Sequence, residues 1–144
     1  MEPLWLKIAR GEIGVKEVVG PKGSNPRIEE YQLVAGTAQD DDVPWCSSFI
    51  NWCMEQAGYP ITHSGAARSW LRYGVSVGPT PPIGAITVLF RGDPKGPHGH
   101  VGFFVGAGVA VGTFMMLGGN QQNRVCIHAY PVSRVLDYRW PREI

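Results

Sequence analysis

Apolar residues recur with helical spacing through the first half of this chain and alternate like strand residues through the second. The clearest stripe is Cys46, Phe49, Ile50, Cys53, Met54 and Ala57, which follows the i, i+3, i+4, i+7, i+8, i+11 pattern of an amphipathic helix. Pro44 opens that helix and Gly58 closes it. Residues 3–10 predict a shorter helix with Leu4, Trp5, Ile8 and Ala9 on its apolar side. Asn25-Pro26 offers an N-cap followed by proline at the first helical position, and Gly36 ends the helix they start. Ser64 can cap a fourth helix that buries Ala67, Trp70 and Leu71 and stops at Gly74. Beyond residue 75, segments 83–90, 101–105, 109–117 and 124–130 read as strands between Gly, Pro and Asn signals, with 135–140 as a last short strand. Helices first and strands after them predict an α+β domain, N-terminal helices packed on a C-terminal antiparallel β-sheet.

Composition narrows this picture. The 144 residues fit one domain, 1–144, large enough to build a core without staples. A net charge of +1 gives no electrostatic reason to expect a nucleic acid partner. No stretch approaches the ~20 apolar residues of a membrane span, and residues 1–7 do not form a basic-then-apolar secretion signal. The three cysteines are not a disulfide framework. Cys46 and Cys53 stand two turns apart on one helix, roughly 10.5 Å of rise, beyond disulfide reach. Cys126 could meet either one. The usage suits free thiols in a reduced compartment.

Chemistry concentrates in three segments. Pro44-Trp45-Cys46-Ser47-Ser48-Phe49 places a cysteine in a helix's first turn, where unpaired N–H groups favour a thiolate. On that ground Cys46 is expected to have a lowered pKa and to alkylate faster than Cys53 or Cys126. Taken alone, it fits a buried core cysteine better than a reactive one. Gly99-His100-Val101-Gly102-Phe103 sets a histidine at the head of a strand, where its ring would be held as a base. Gly118-Gly119-Asn120-Gln121 follows the next apolar run, and Asn120 could orient the imidazole. His98, in the glycine- and proline-rich loop 91–99, is the competing base; His63 and His128 read as surface or edge residues. A zinc site from Cys46, Cys53, His98 and His100 lacks a C-x-x-C pair. Asp40-Asp41-Asp42 reads as a solvated or capping cluster before a calcium site. No metal and no cofactor are expected.

Together these three segments resemble the signatures of the CHAP amidohydrolase/peptidase family, relatives of the NlpC-type cell-wall peptidases. The resemblance extends to Gly14-Val15-Lys16-Glu17, Ser24-Asn25-Pro26, Ala67-Arg68-Ser69-Trp70-Leu71 and Tyr138-Arg139-Trp140-Pro141, and so to the single-domain phage and prophage branch. It implies a papain-like fold, with Cys46 as nucleophile, His100 as general base and then acid, and Asn120 as the orienting residue. The Cys46 N–H would be one oxyanion donor. Trp45 is then expected as a cleft wall, and Arg68 and Trp70 as candidate substrate contacts, although plain core is the stronger reading of Trp70. One departure stands out: the Pro-x-x-Gly-Asp turn of NlpC-type relatives reads Pro81-Pro82-Ile83-Gly84-Ala85 here.

The substrate this implies is bacterial peptidoglycan, cut at muramoyl–L-alanine or within the stem peptide through a thioester. The alternative is a catalytically silent wall-binding module on the same scaffold. Without a signal, the chain is expected to be made in the cytoplasm and to act in the periplasm or cell wall. A holin, phage tail or secretion system would deliver it, and an immunity protein is a further candidate partner.

Overall fold

The computed structural model describes residues 2–18, 24–40 and 43–142. Helices α1 (Leu4–Arg10), α2 (Pro26–Ala35) and α3 (Cys46–Gln56) come first. A 3-10 turn, Ala67–Arg72, leads into β1 (Val75–Ser76), β2 (Ile86–Phe90), β3 (Gly99–Ala107), β4 (Thr113–Gln121), β5 (Arg124–Pro131) and β6 (Val135–Trp140). The strands form one sheet in the order β1-β6-β2-β3-β4-β5, every neighbouring pair antiparallel. This is the α+β arrangement the patterning predicts.

Element boundaries follow local chemistry. Asn25 caps α2 by accepting from the Arg27 N–H at 2.8 Å, and Gly36 ends it in the left-handed region at φ 78°. Helix α3 begins at Cys46 and not at Pro44, with Trp45 as its N-cap. Ser64 accepts from the Ala66 N–H at 3.1 Å, but the segment it starts winds as a 3-10 turn instead of an α-helix. The strand expected over 109–117 begins only at Thr113. Gly108 donates to the Thr113 carbonyl at 2.9 Å, closing a turn that leaves Val109 and Val111 in solvent.

The sheet has two apolar faces. Val101, Phe103 and Leu117 pack under α3 with Phe49, Ile50 and Met54, and this is the larger core. Leu89, Phe114 and Met116 form a second cluster with Phe104, Tyr130 and Val135. Alternation along β3 therefore sends Phe103 to the helices and Phe104 to the other side. Helix α3 is buried along its length from Cys46 to Met54, so its polar residues need internal partners. Ser47 Oγ donates to the Ser64 carbonyl at 2.7 Å and accepts from the Trp70 indole at 2.9 Å. Asn51 accepts from the N–H groups of Thr62 and His63 at 3.0 and 3.1 Å, which anchors the loop after the helix.

Helix α1 covers the far end. The Trp5 indole donates to the Gly84 carbonyl at 2.8 Å, and Gly84 sits at φ 96°, where a Cβ would strike Pro3. Ala85, which stands in place of the family aspartate, is completely buried beside this turn. Its N–H bonds to the Pro82 carbonyl at 3.1 Å, so the backbone closes the turn here. A carboxylate at that position would be buried and costly.

Helix α3 meets β4 at Gly119, where a Cβ would come within 2.7 Å of Trp45 and 2.8 Å of Phe49. Gly119→Ala should cost about 1–3 kcal/mol through overpacking, measured by urea unfolding against wild type. An unchanged midpoint would show that the helix can shift away at no cost.

Candidate active site

Cys46 is the first residue of α3 and is 6% exposed. Backbone N–H groups of Val101, Ser47 and Cys46 itself reach its sulfur and favour the thiolate, as does the charge of Arg91. Burial is the larger effect, and it raises the thiol pKa above its ordinary value. The lowered pKa expected from the helix terminus is therefore corrected. Removing the sulfur from water outweighs the N–H groups and the nearby cation. Cys53 lies deeper, with its pKa pushed well up by burial. All three cysteines are free, and Cys126 is partly exposed.

The Val101 N–H that reaches the Cys46 sulfur belongs to the residue after His100. His100 is 2% exposed and pairs across β2 with Leu89. Its Nε2 lies 3.0 Å from Gln121 Oε1. Gln121 donates its own amide hydrogens to the carbonyls of Cys126 at 2.7 Å and Met116 at 3.2 Å. Those bonds turn the amide oxygen toward the histidine. An oxygen only accepts, so Nε2 carries the proton and Nδ1 presents a lone pair. Nδ1 is buried with no hydrogen-bond partner. The Cys46–His100 hydrogen bond is not formed in the resting structure, as is common before a substrate engages.

Gln121, and not Asn120, thus holds the imidazole. The cause is a β-bulge. Gly118 pairs with Cys126 and Gln121 with Arg124, a register shift that takes up one extra residue. Asn120 sits in the bulge at φ 57°, out of the alternation that would have aimed it at His100. Gly118 is also required, since a Cβ there would come 2.7 Å from Gln121 Oε1. Gln121 lay in the quoted signature segment, but alternation alone points to its neighbour.

The expected substrate contacts divide differently. Trp45 is no cleft wall. It is fully buried, packs against Tyr31 at 6.1 Å, and donates its indole N–H to Glu17 at 3.0 Å. Trp70 is also fully buried, bound to Ser47, and belongs to the core. Arg68 directs its guanidinium to backbone carbonyls of the 91–99 loop: His98 at 2.9 Å, and Pro94 and Asp93 at 3.0 Å. Its observed role is to pin the loop that enters β3. The His98 side chain is exposed on that loop. Among the described residues, no group of three or more His, Cys, Asp or Glu is placed to hold a metal. Asp41 and Asp42 of the acidic cluster lie outside the described residues.

Several neighbours of the pair carried no sequence signal. The Tyr130 ring lies 5.5 Å from His100, and the Arg134 guanidinium lies 5.5 Å over Tyr130. His100 has its pKa lowered to about 4, first by burial and then by the charges of Arg91, Arg134 and His128, against the opposing Gln121 bond.

The site thus combines a buried thiol at the N-terminus of α3 with an imidazole on β3 whose Nε2 has an amide partner. The CHAP domain profile matches residues 38–120, more than half of the chain, and the protein belongs to that family. The fold is also that of the wild-type endolysin LysIME-EF1, with a TM-score of 0.58 and 20% identity. The match covers 99% of this chain and 66% of the endolysin, so this chain spans just under two thirds of it. Comparison with curated proteins returns no significant match.

The histidine makes stability depend on pH. It titrates near 6.5 when unfolded and at about 4 when folded. Between those values the unfolded chain binds the proton and the fold does not. Its contribution is complete above pH 6.5 and is lost as the pH falls toward 4. A gap of this size corresponds to roughly 3 kcal/mol. His100→Asn should lose correspondingly less stability than wild type between neutral pH and the acid end of that window in urea titrations. Equal acid sensitivity in both proteins would place the titration elsewhere.

Proposed function

We propose that this protein is a cysteine-dependent peptidoglycan hydrolase. It cleaves an amide bond, muramoyl–L-alanine or one within the stem peptide, through a thioester acyl-enzyme. The observation that carries this reading is the unpartnered Nδ1 of a buried imidazole whose Nε2 is held by Gln121. Family membership supports it, as does the endolysin of the same fold.

The resting pair is neutral, thiol with imidazole, because burial disfavours both charges. As substrate arrives, Nδ1 accepts the Cys46 proton and the sulfur attacks the scissile carbonyl. Gln121 Oε1 steadies the imidazolium through its Nε2–H bond. The Cys46 N–H, free of a helical partner at the N-terminus of α3, supplies one oxyanion donor. The leaving amine takes the proton from Nδ1, and a thioester remains. Water, activated by the same nitrogen, then releases the acyl group. No step calls for a cofactor. In this role the chain works on the periplasmic or wall side. It arrives there by phage-tail, holin-linked or secretion delivery, with an immunity protein as the natural restraint on an effector.

Purified sacculi incubated with wild type should release fragments bearing new amine ends, identified by mass spectrometry, and Cys46→Ala should release none. Equal binding by both proteins without fragments would instead establish a silent wall-binding module. Gln121→Ala should lower kcat/KM roughly 100-fold by freeing the base, while Asn120→Gly changes it little. The reverse order would return the orienting role to Asn120. The acid limb of kcat/KM should fall near the histidine's value of about 4, since the base is neutral above it. A limb close to the ordinary histidine value would contradict the neutral pair.

A further inference from the structure

Cations gather beside the Cys46–His100 pair, and among the described residues no carboxylate pairs with them. Arg91 follows directly on β2, where Phe90 pairs with Gly99, and its N–H bonds to the His98 carbonyl at 3.2 Å. Its charge acts on Cys46, His100 and Tyr130 alike. Arg134, in the 3-10 turn Val132–Arg134, donates to the Phe90 carbonyl at 3.2 Å and stacks over Tyr130. The Tyr130 ring in turn contacts His100 and His128, with centroids 5.5 and 5.0 Å apart. Among the described residues, the ion pairs involve Arg10, Arg27 and Arg139, and neither Arg91 nor Arg134 has a carboxylate partner.

These charges act on the two halves of the pair in opposite senses: that of Arg91 favours the Cys46 thiolate, while those of Arg91 and Arg134 disfavour the imidazolium that must form when the thiol gives up its proton. An anion bound beside them would relieve the penalty on the imidazolium in the occupied site. We propose that Arg91 and Arg134 form a subsite for a carboxylate of the substrate's stem peptide, next to the scissile amide. This rests on the reading of the chain as a peptidoglycan hydrolase and names the group it recognises. Guanidinium forks match planar carboxylates, and the stem peptide carries such groups. The glycan around it offers hydroxyls and acetamides.

The test uses one disaccharide–peptide from peptidoglycan in its free-acid form and in forms with each stem carboxylate converted singly to the isosteric carboxamide. Dissociation constants are measured on Cys46→Ala, which leaves the ligand uncleaved, and kcat/KM on the protein with Cys46 intact. At least one amidation should weaken binding about tenfold, a loss of about 1.4 kcal/mol. That preference should vanish when Arg91→Gln or Arg134→Gln is added, and persist with Arg72→Gln, an exposed arginine that is not among the charges acting on Cys46 or His100. The subsite is overturned if every amidated form binds as tightly as the free acid, or if no form binds. It is equally overturned if the preference survives both site substitutions. Should the intact protein cleave none of the forms, the hydrolase reading falls, and the binding measurements still judge the subsite.

Discussion

Helix α3 can carry a cysteine into the interior because β4 has no side chain at Gly119, where Trp45 and Phe49 meet its backbone. This close approach brings the first turn of the helix down onto β3, near enough for the Val101 N–H to reach the Cys46 sulfur. It also buries the helix from Cys46 to Met54, which explains why Ser47 and Asn51 are tied into the loops around it. The same burial governs the chemistry. It holds the thiol protonated and the imidazole neutral, against the pull of the helix terminus.

The sheet answers with an arrangement centred on one amide. Gln121 has its two donors committed to main-chain carbonyls, so only its oxygen remains for His100. One side chain therefore sets both the tautomer and the orientation of the His100 imidazole. The space it needs exists because Gly118 lacks a Cβ, while its neighbour Gly119 serves the opposite face. The adjacent glycines thus perform different tasks on the two sides of one strand. Surrounding cations push the imidazole further toward neutrality.

Much of the fold was legible in the chain because its signals are local. The cap at Asn25, the left-handed stop at Gly36 and the stripe along α3 are decided by neighbours a few residues away. The late start of β4 at Thr113 was less legible, since a run of valines resembles a strand until the Gly108 turn is seen. The thiol and the histidine were recognisable from their residue types and places at a helix head and a strand head. Trp45, expected as a cleft wall, and Trp70, for which core was the stronger reading, are both core, because aromatic residues near a cysteine look the same in a sequence whether they line a cleft or fill a core. Arg68 had visible chemistry, but its partners are carbonyls of a loop far along the chain.

By itself, the sequence determined the order of helices and strands, the cysteine at a helix head and the histidine at a strand head. Each of these is specified by short-range spacing and turn chemistry. Only the tertiary structure decided which residue holds the imidazole, because a single extra residue in β4 exchanges Asn120 for Gln121. It alone also decided the charge state of the pair. Helix termini and burial act in opposite directions, and their balance depends on how completely α3 is covered.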